Sequence, residues 1–226
     1  MRVVICQAGV GNVRSVVRAV ERALSTSQSA RPSATVAISS LPEQLQQADA
    51  LIVPGQGSFG AFASAIEGGL GQAIAEHIAK GKPYLGICLG MQVLFEDSEE
   101  AVGLRGLGIL AGHVRRLRPG MDAEQRRPLP LPHIGWNAVT RAQTAQAAQA
   151  TMPPRKHNVL LGEPTHFYFA HTFVVVPTDQ ALVLATTDYG TSFVSAVARD
   201  NVLGVQFHPE KSQDAGIFLL KTFFSP

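Results

Sequence analysis

KPYLGICLGMQVLF, residues 82–95, runs an apolar strand through a cysteine between two glycines and into a helix-like segment. A strand that passes directly into a helix is the repeating unit of α/β proteins with a parallel sheet. The same alternation extends over residues 1–110, and short apolar strands of this kind are typical of a sheet covered on both faces. The predicted strands there are 2–6, 34–39, 50–55 and 83–88, and the predicted helices are 13–24, 70–81 and 89–97.

After residue 110 the pattern changes to strands joined by turns, followed by a final helix at 216–224. We therefore expect an α/β fold with a mostly parallel central sheet, helices on both faces and an antiparallel subset in the C-terminal half. ARDNVLG, residues 198–204, is typical of a hairpin turn between the last two strands. The chain, 1–226, is predicted to form one domain, and the Ala/Gln-rich segment 141–157 to be a surface insertion.

The bulk composition argues against several classes of function. A net charge of +2 with 16% charged residues provides no global field for nucleic acid or for a membrane surface. No window reaches the roughly 18 apolar residues of a membrane span, and the first residues are typical of a strand and not of a signal peptide. Two cysteines cannot form a disulfide framework, which favours a reducing cytosol. We expect a cytoplasmic protein without nucleic-acid or membrane partners.

The glycines at 9–12, GVGN, raise the question of a nucleotide cofactor. They begin like a dinucleotide fingerprint, but the third glycine position holds Arg14 and no acidic residue follows a second strand at the usual distance. We therefore expect no cofactor, and we also expect no metal site. Cys6 lies within the first apolar strand and is predicted to belong to the core.

Residues 86–90, GICLG, have the form of a nucleophile elbow with cysteine at the reactive position. Glycines suit such a turn, because a Cβ would clash where strand and helix backbones approach each other. The start of the helix favours a thiolate at Cys88 through its unpaired N–H groups and its dipole. The N–H of Leu89 is a candidate oxyanion donor, and a loop N–H at Gln56 or Gly57 is a second. A buried structural cysteine is the alternative.

A cysteine nucleophile needs a base, and QFHPEKS at 206–212 supplies the best candidate. In an extended chain residues i and i+2 share a face, so His208 and Glu210 point the same way. Pro209 disfavours helical backbone at His208 and supports this extended form. Glu210 can accept a hydrogen bond from the imidazole and orient it towards a thiol. The residues themselves therefore indicate a triad of Cys88, His208 and Glu210.

GICLGMQ together with QFHPEKS resembles the class I, triad-type glutamine amidotransferases, whose glutaminase domain cleaves glutamine to glutamate and ammonia. HIGWN at 133–137, FYFAHTF at 167–173 and GVGN are similar to the branch that supplies ammonia to a synthase in histidine biosynthesis. The resemblance covers the chain except 119–130 and 141–157. It implies a flavodoxin-like class I amidotransferase fold. It also implies a heterodimer with a (β/α)8-barrel cyclase, to which ammonia passes through a sheltered channel.

By that resemblance Cys88 attacks the glutamine carboxamide and His208 protonates the departing ammonia. Water then hydrolyses the glutamyl thioester while Glu210 orients the histidine. The implied substrate contacts are Gly57, Gln92, Glu100, Tyr168, His171 and Thr172, with Glu100 taking the α-amino group. The implied partner contacts are Asn12, Trp136, Asn137 and Lys211. Structural alternatives exist: a solvated acid for Glu100, a core aromatic for Tyr168 and a core tryptophan for Trp136.

Two positions depart from the family pattern, and other functions stay open. Ser15 stands where the family often has a second asparagine, and Gln56 where it often has a small apolar residue. The alternatives are the glutaminase of another synthase (anthranilate or pyridoxal phosphate), a partner-independent Cys-His peptidase or γ-glutamyl hydrolase, and a catalytically silent subunit. The motifs at 133–137 and 208–212 argue against another synthase.

Overall fold

The computed structural model describes residues 1–8, 13–26, 34–55, 57–65, 69–122, 127–142 and 165–225. Within them the strands are β1 Arg2–Cys6, β2 Thr35–Ser39, β3 Ala50–Gly55, β4 Tyr84–Cys88, β5 Asp97–Ser98, β6 Gly112–Arg116, β7 His133–Arg141, β8 Thr165–His171, β9 Phe173–Pro177, β10 Val183–Asp188, β11 Ser192–Arg199 and β12 Val202–Val205. The α-helices are α1 Val13–Ser25, α2 Pro42–Gln47, α3 Phe59–Ala65, α4 Gly71–Ala79, α5 Leu89–Gln92 and α6 Gln213–Phe224.

One sheet joins these strands in the order β2-β1-β3-β4-β12-β11-β10-β7-β8. The first five are parallel, and from β12 onward the pairs are antiparallel. Strands β5, β6 and β9 form a branch attached to β11. The predicted parallel sheet with an antiparallel subset in the C-terminal half is confirmed. Because β12 lies between the two parts, it brings the end of the chain next to β4.

Helices cover both faces of the parallel strands, as their apolar composition predicts. Val3 and Ile5 of β1 pack in one cluster with buried residues of α1 and α6. Val4 and Cys6 point the other way and pack in a second cluster with α2, α3, α4 and α5. Cys6 is 1% exposed, which confirms its predicted core position. No helix among the described residues is long and apolar enough to cross a membrane.

Four elements differ from the sequence prediction. Helices α2 and α3 were not predicted, since each is short and lacks a long amphipathic repeat. The predicted helix 89–97 ends at Gln92. The reason is tertiary: the carbonyl oxygens of residues 93–96 accept hydrogen bonds from backbone N–H groups of residues 106–110 instead of continuing a helix. The apolar run FYFAHTFVVV at 167–176, which is typical of one continuous strand, is divided between two strands, β8 and β9, separated at Thr172.

The predicted hairpin turn between the last two strands is observed. Arg199 of β11 pairs with Val202 of β12, and Asp200 in the turn has φ 50°. The predicted insertion begins at Arg141, which is the last residue of β7 and pairs with Ala185. Its residues 143–157 lie outside the described part of the chain. The insertion and the single-domain organisation therefore stay predictions.

Candidate active site

The turn between β4 and α5 is a strained elbow with Cys88 at its apex. Cys88 has φ 53° and ψ −108°, a backbone conformation that residues with a side chain rarely adopt. A Cβ on Gly86 would lie 2.3 Å from the Gly90 carbonyl oxygen, and one on Gly90 would lie 1.8 Å from the Val53 carbonyl oxygen. Both glycines are therefore required by close backbone contact, which is the steric demand that the sequence motif predicts.

The HPE segment meets the elbow because β4 and β12 are neighbouring parallel strands. Val205 pairs with Ile87, so both chains leave the sheet at the same edge, where sites of α/β proteins form. The His208 N–H donates to the Tyr168 carbonyl oxygen at 2.8 Å, and the His208 carbonyl oxygen accepts from Ser212 Oγ at 2.6 Å. His208 has φ −105° and ψ 95°, the extended form predicted from the following proline.

His208 and Glu210 form a buried pair beside the thiol. His208 Nδ1 lies 2.8 Å from Glu210 Oε1, and the two side chains are 4% and 1% exposed. Burial alone would lower the pKa of His208, but hydrogen bonds with Cys88 and Glu210 and their negative charges outweigh it and raise that pKa to about 10. Near neutral pH the imidazole is therefore protonated and lies between a sulfur and a carboxylate. The structure brings the three predicted triad residues together.

Two glutamines complete the surroundings of the sulfur. Gln206 Nε2 donates to Cys88 Sγ at 3.4 Å, and Gln92 Nε2 donates to Gln206 Oε1 at 3.1 Å. Gln92 was predicted from the resemblance as a substrate contact, whereas Gln206 was not singled out. The strand pairing could have indicated it, since the residue after Val205 stands opposite the residue after Ile87.

The loop after β3 runs beside the elbow. A Cβ on Gly55 would lie 2.1 Å from Leu89 Cβ and 2.4 Å from the Leu89 backbone nitrogen. Gly57 has φ 145°, a conformation that favours glycine. The Glu100 carboxylate accepts from the Phe59 N–H at 3.0 Å, at the start of α3. Gln56 lies outside the described residues, so the oxyanion roles of Leu89, Gln56 and Gly57 stay predictions.

Three residues predicted as partner or substrate contacts cluster at the surface. Trp136 is 47% exposed and its ring lies edge-on to Tyr168, with centroids 6.2 Å apart. Lys211 Nζ lies 5.6 Å from the centre of the Tyr168 ring. The alternative of a core tryptophan is wrong for this position. Asn137 on β7 is next in sequence to Trp136, while Asn12 lies outside the described residues.

His171 and Thr172 follow the end of β8, and His171 is buried. His171 Nδ1 lies 3.1 Å from the Phe173 carbonyl oxygen, and its Nε2 lies 3.0 Å from His133 Nδ1. Burial, together with the neighbouring His133 and His208, lowers the pKa of His171 to about 3. The Thr172 carbonyl oxygen accepts from the Leu117 N–H. Both ring nitrogens of His171 thus have protein partners, and its substrate contact stays a prediction.

The sequence profile of glutamine amidotransferase class-I matches residues 4–225. Solved structures with the same fold include a glutamine amidotransferase, with a TM-score of 0.66 and 19% identity over 98% of this chain and 99% of that one. PurLQS from Thermotoga maritima has a TM-score of 0.67 with 19% identity over 98% of this chain and 96% of that one. The chain belongs to the class I glutamine amidotransferases, an enzyme family.

Curated relatives are closer in sequence. The imidazole glycerol phosphate synthase subunit HisH of Syntrophotalea carbinolica is 40% identical over 98% of both chains. The HisH subunit of Aquifex aeolicus is 42% identical over 99% of this chain and 96% of that one. Within the class, the chain belongs to the HisH family, which confirms the branch predicted from HIGWN and HPEKS. Among the described residues no group of three His, Cys, Asp or Glu side chains could hold a metal ion.

Proposed function

We propose that this protein is the glutaminase subunit of an imidazole glycerol phosphate synthase, which hydrolyses L-glutamine and passes the ammonia to a (β/α)8-barrel subunit. The observation that carries the proposal is the buried His208–Glu210 pair beside the Cys88 thiol at the elbow. Membership of the HisH family supports the choice of partner. Two unpaired cysteines support a cytoplasmic location.

In the first step the Cys88 thiolate attacks the glutamine side-chain carbonyl carbon. His208 accepts the thiol proton through its hydrogen bond with Cys88, a contact that together with Glu210 raises the pKa of the imidazole. The tetrahedral oxyanion would be stabilised by the N–H of Leu89 and by an N–H of the loop that holds Gly57. Collapse breaks the C–N bond, His208 donates its proton to the nitrogen, and ammonia leaves a glutamyl thioester.

In the second step water replaces the thiolate. Neutral His208 accepts a proton from the water, which attacks the thioester carbon, and the C–S bond breaks to release glutamate and restore the thiolate. Glu210 stabilises the imidazolium each time it forms and fixes its ring through the 2.8 Å contact at Nδ1. Both residues are nearly inaccessible to solvent, so that contact is not screened by bulk water.

The barrel partner would dock on the surface formed by Trp136, Tyr168 and Lys211. A half-exposed tryptophan flanked by an aromatic ring and a cation has the composition of an interface anchor. This surface adjoins the catalytic histidine, because the Tyr168 carbonyl oxygen accepts from the His208 N–H. A partner docked here lies close to where ammonia leaves, and the sheltered channel would start at this edge.

The proposal is tested by feeding the reconstituted complex either glutamine or ammonium salt. Cys88→Ala and His208→Ala are expected to abolish glutamine-dependent synthesis and to leave ammonia-dependent synthesis unchanged, since the barrel performs the second reaction. Synthesis from glutamine by Cys88→Ala at the wild-type rate would overturn the thioester mechanism. Rapid cleavage of γ-glutamyl peptides by the chain without a partner would instead identify a partner-independent hydrolase.

A further inference from the structure

Cys88 Sγ has a hydrogen-bond donor that the triad does not include. We propose that Gln206 is a further catalytic residue, whose side-chain N–H holds and stabilises the Cys88 sulfur, and that the Phe173 carbonyl oxygen fixes the orientation of its amide through Gln92. This inference rests on the proposed function, because it assigns a role within the same glutaminase site. Gln206 is 0% exposed, and its Nε2 lies 3.4 Å from the sulfur.

Strand pairing places Gln206 opposite the nucleophile. Val205 pairs with Ile87 in parallel register, so the next residues, Gln206 and Cys88, stand side by side at the edge of the sheet. Side chains at matched positions of parallel strands point to the same face. His208 follows two residues later. One strand end therefore supplies both the acid–base residue and a second donor to the sulfur.

The orientation of the Gln206 amide follows from a backbone carbonyl. The Phe173 oxygen can only accept, so Gln92 must present Nε2 to it, at 3.0 Å. The same Gln92 nitrogen lies 3.1 Å from the Gln206 side chain, so the Gln206 atom that faces it must be the acceptor, Oε1. Gln206 consequently turns Nε2, and not its oxygen, towards Cys88. A reversed amide would place an acceptor against a thiolate and break the bond from Gln92.

The same carbonyl fixes two histidines on its other side. His171 must donate to the Phe173 oxygen from Nδ1, which leaves its Nε2 as an acceptor for the Nδ1–H of His133. The Nε2 of His133 is then an acceptor, and Asn137 Nδ2 approaches it at 3.3 Å. Asn137 and Gln92 therefore lie on opposite sides of one connected chain.

The outer end of the chain gives an independent check on this direction. Asn137 Nδ2 also donates to the Asp188 carbonyl oxygen at 2.9 Å, and its Oδ1 accepts from the Ala138 N–H at 2.8 Å. These two backbone partners fix the asparagine amide in the orientation that His133 requires. Burial lowers the pKa of His133 to about 4, so the ring is neutral near pH 7 and carries one proton, as the chain demands.

Hydrogen bonds from the predicted docking surface reach the backbone carbonyl that also orients Gln92. Asn137 follows Trp136 in β7, and the hydrogen bonds that begin at its amide meet those from Gln92 at the Phe173 carbonyl oxygen. A partner that displaces the Asn137 amide would remove the donor to His133 and leave a buried acceptor unsatisfied.

The first test measures alkylation of the isolated chain by iodoacetamide across pH 6–9, with Cys88 modification quantified by peptide mass spectrometry. Gln206→Met keeps the volume but loses the donor, and we expect the rate at pH 7 to fall about tenfold, because one hydrogen bond to a charged group is lost. Gln206→Glu keeps the acceptor for Gln92 but turns an oxygen to the sulfur, and should lower the rate further.

Ser195→Ala is the matched control. Ser195 is 0% exposed, lies opposite Gln206 on β11, and its hydroxyl has no hydrogen-bond partner among the described residues. This variant should alkylate at the wild-type rate. A wild-type rate and pH profile in folded Gln206→Met and Gln206→Glu would overturn the role of Gln206. Because neither glutamine nor the barrel is present, this result is independent of whether the complex makes its product.

The second test determines which ring nitrogens of His133 and His171 are protonated in the wild-type protein. Nitrogen-15 NMR of the imidazoles should find both His133 and His171 neutral at pH 7 and protonated at Nδ1, the less common tautomer of free histidine. Asn137→Ala should change the Nε2 shift of His133, because it removes the donor to that nitrogen. Protonation of either ring at Nε2 would overturn the hydrogen-bond directions assigned at the Phe173 carbonyl.

Discussion

Acid should destabilise the protein through His171, and the size of the effect follows from its burial. In the folded chain its pKa is lowered to about 3 because the ring is buried beside His133 and His208, whereas an unfolded histidine titrates near 6.5. At pH 5 the unfolded state therefore binds a proton at this ring that the folded state does not bind. The unfolded pKa of about 6.5 lies about 1.5 units above pH 5, and this difference corresponds to a loss of about 2 kcal/mol of unfolding free energy at pH 5.

The pH window follows from the direction of each shift. For His171 the folded pKa is the lower one, so its contribution is intact above pH 6.5 and is lost as pH falls from there towards 3. His208 behaves in the opposite way, since its pKa is raised to about 10. Its contribution is fully present below pH 6.5 and is lost as pH rises through 10. The destabilisation between pH 6.5 and 5 therefore does not come from His208.

Urea unfolding at pH 7.0 and pH 5.0 provides the assay. The decrease in unfolding free energy between the two pH values should be about 2 kcal/mol smaller in His171→Gln than in the wild-type chain, because glutamine does not titrate. His166→Gln is the control, since His166 lies on the same strand but is exposed. A His171→Gln variant that keeps the full acid sensitivity would refute the assignment of this effect to the buried ring.

Three further variants or labels probe the elbow, the core and the docking surface. Gly90→Ala places a Cβ 1.8 Å from the Val53 carbonyl oxygen, so thermal denaturation should show a loss of about 3 kcal/mol or more, together with loss of glutamine hydrolysis. Burial raises the pKa of Cys6 to about 12, so iodoacetamide at pH 8 should label Cys88 alone in the folded chain. Trp136→Ala should change stability by less than about 0.5 kcal/mol but weaken barrel binding by about 2 kcal/mol in titration calorimetry. Wild-type stability of Gly90→Ala, labelling of Cys6, or unchanged barrel affinity of Trp136→Ala would contradict the respective expectation.

The alternation of strand and helix could be predicted because the apolar strands and the amphipathic helices α1 and α4 are encoded by local periodicity. The length of α5 could not be predicted in this way. Its apolar continuation after Gln92 is suited to a helix, but backbone groups of residues 106–110 take the carbonyl oxygens of residues 93–96. These N–H groups belong to a later segment of the chain, so the local pattern of residues 89–97 does not contain this competition.

The triad could be predicted because each motif carries a local steric reason. Gly86 and Gly90 avoid backbone clashes at the elbow, and Pro209 keeps His208 extended. Gln206 escaped prediction because its role depends on which strand lies beside β4. Sequence separates Cys88 from Gln206 by 118 residues, and only the pairing of β4 with β12 places their side chains together.

The central claim is tested most directly by the rate of glutamate release from glutamine, measured with the purified chain alone and with its (β/α)8-barrel partner carrying bound ligand. We expect a low rate for the chain alone, a higher rate in the complex, and no release by either preparation when Cys88 is replaced by alanine. Release of glutamate by the complex with Cys88→Ala at the wild-type rate, or no release by the wild-type complex, would contradict the assignment of this site as a glutaminase.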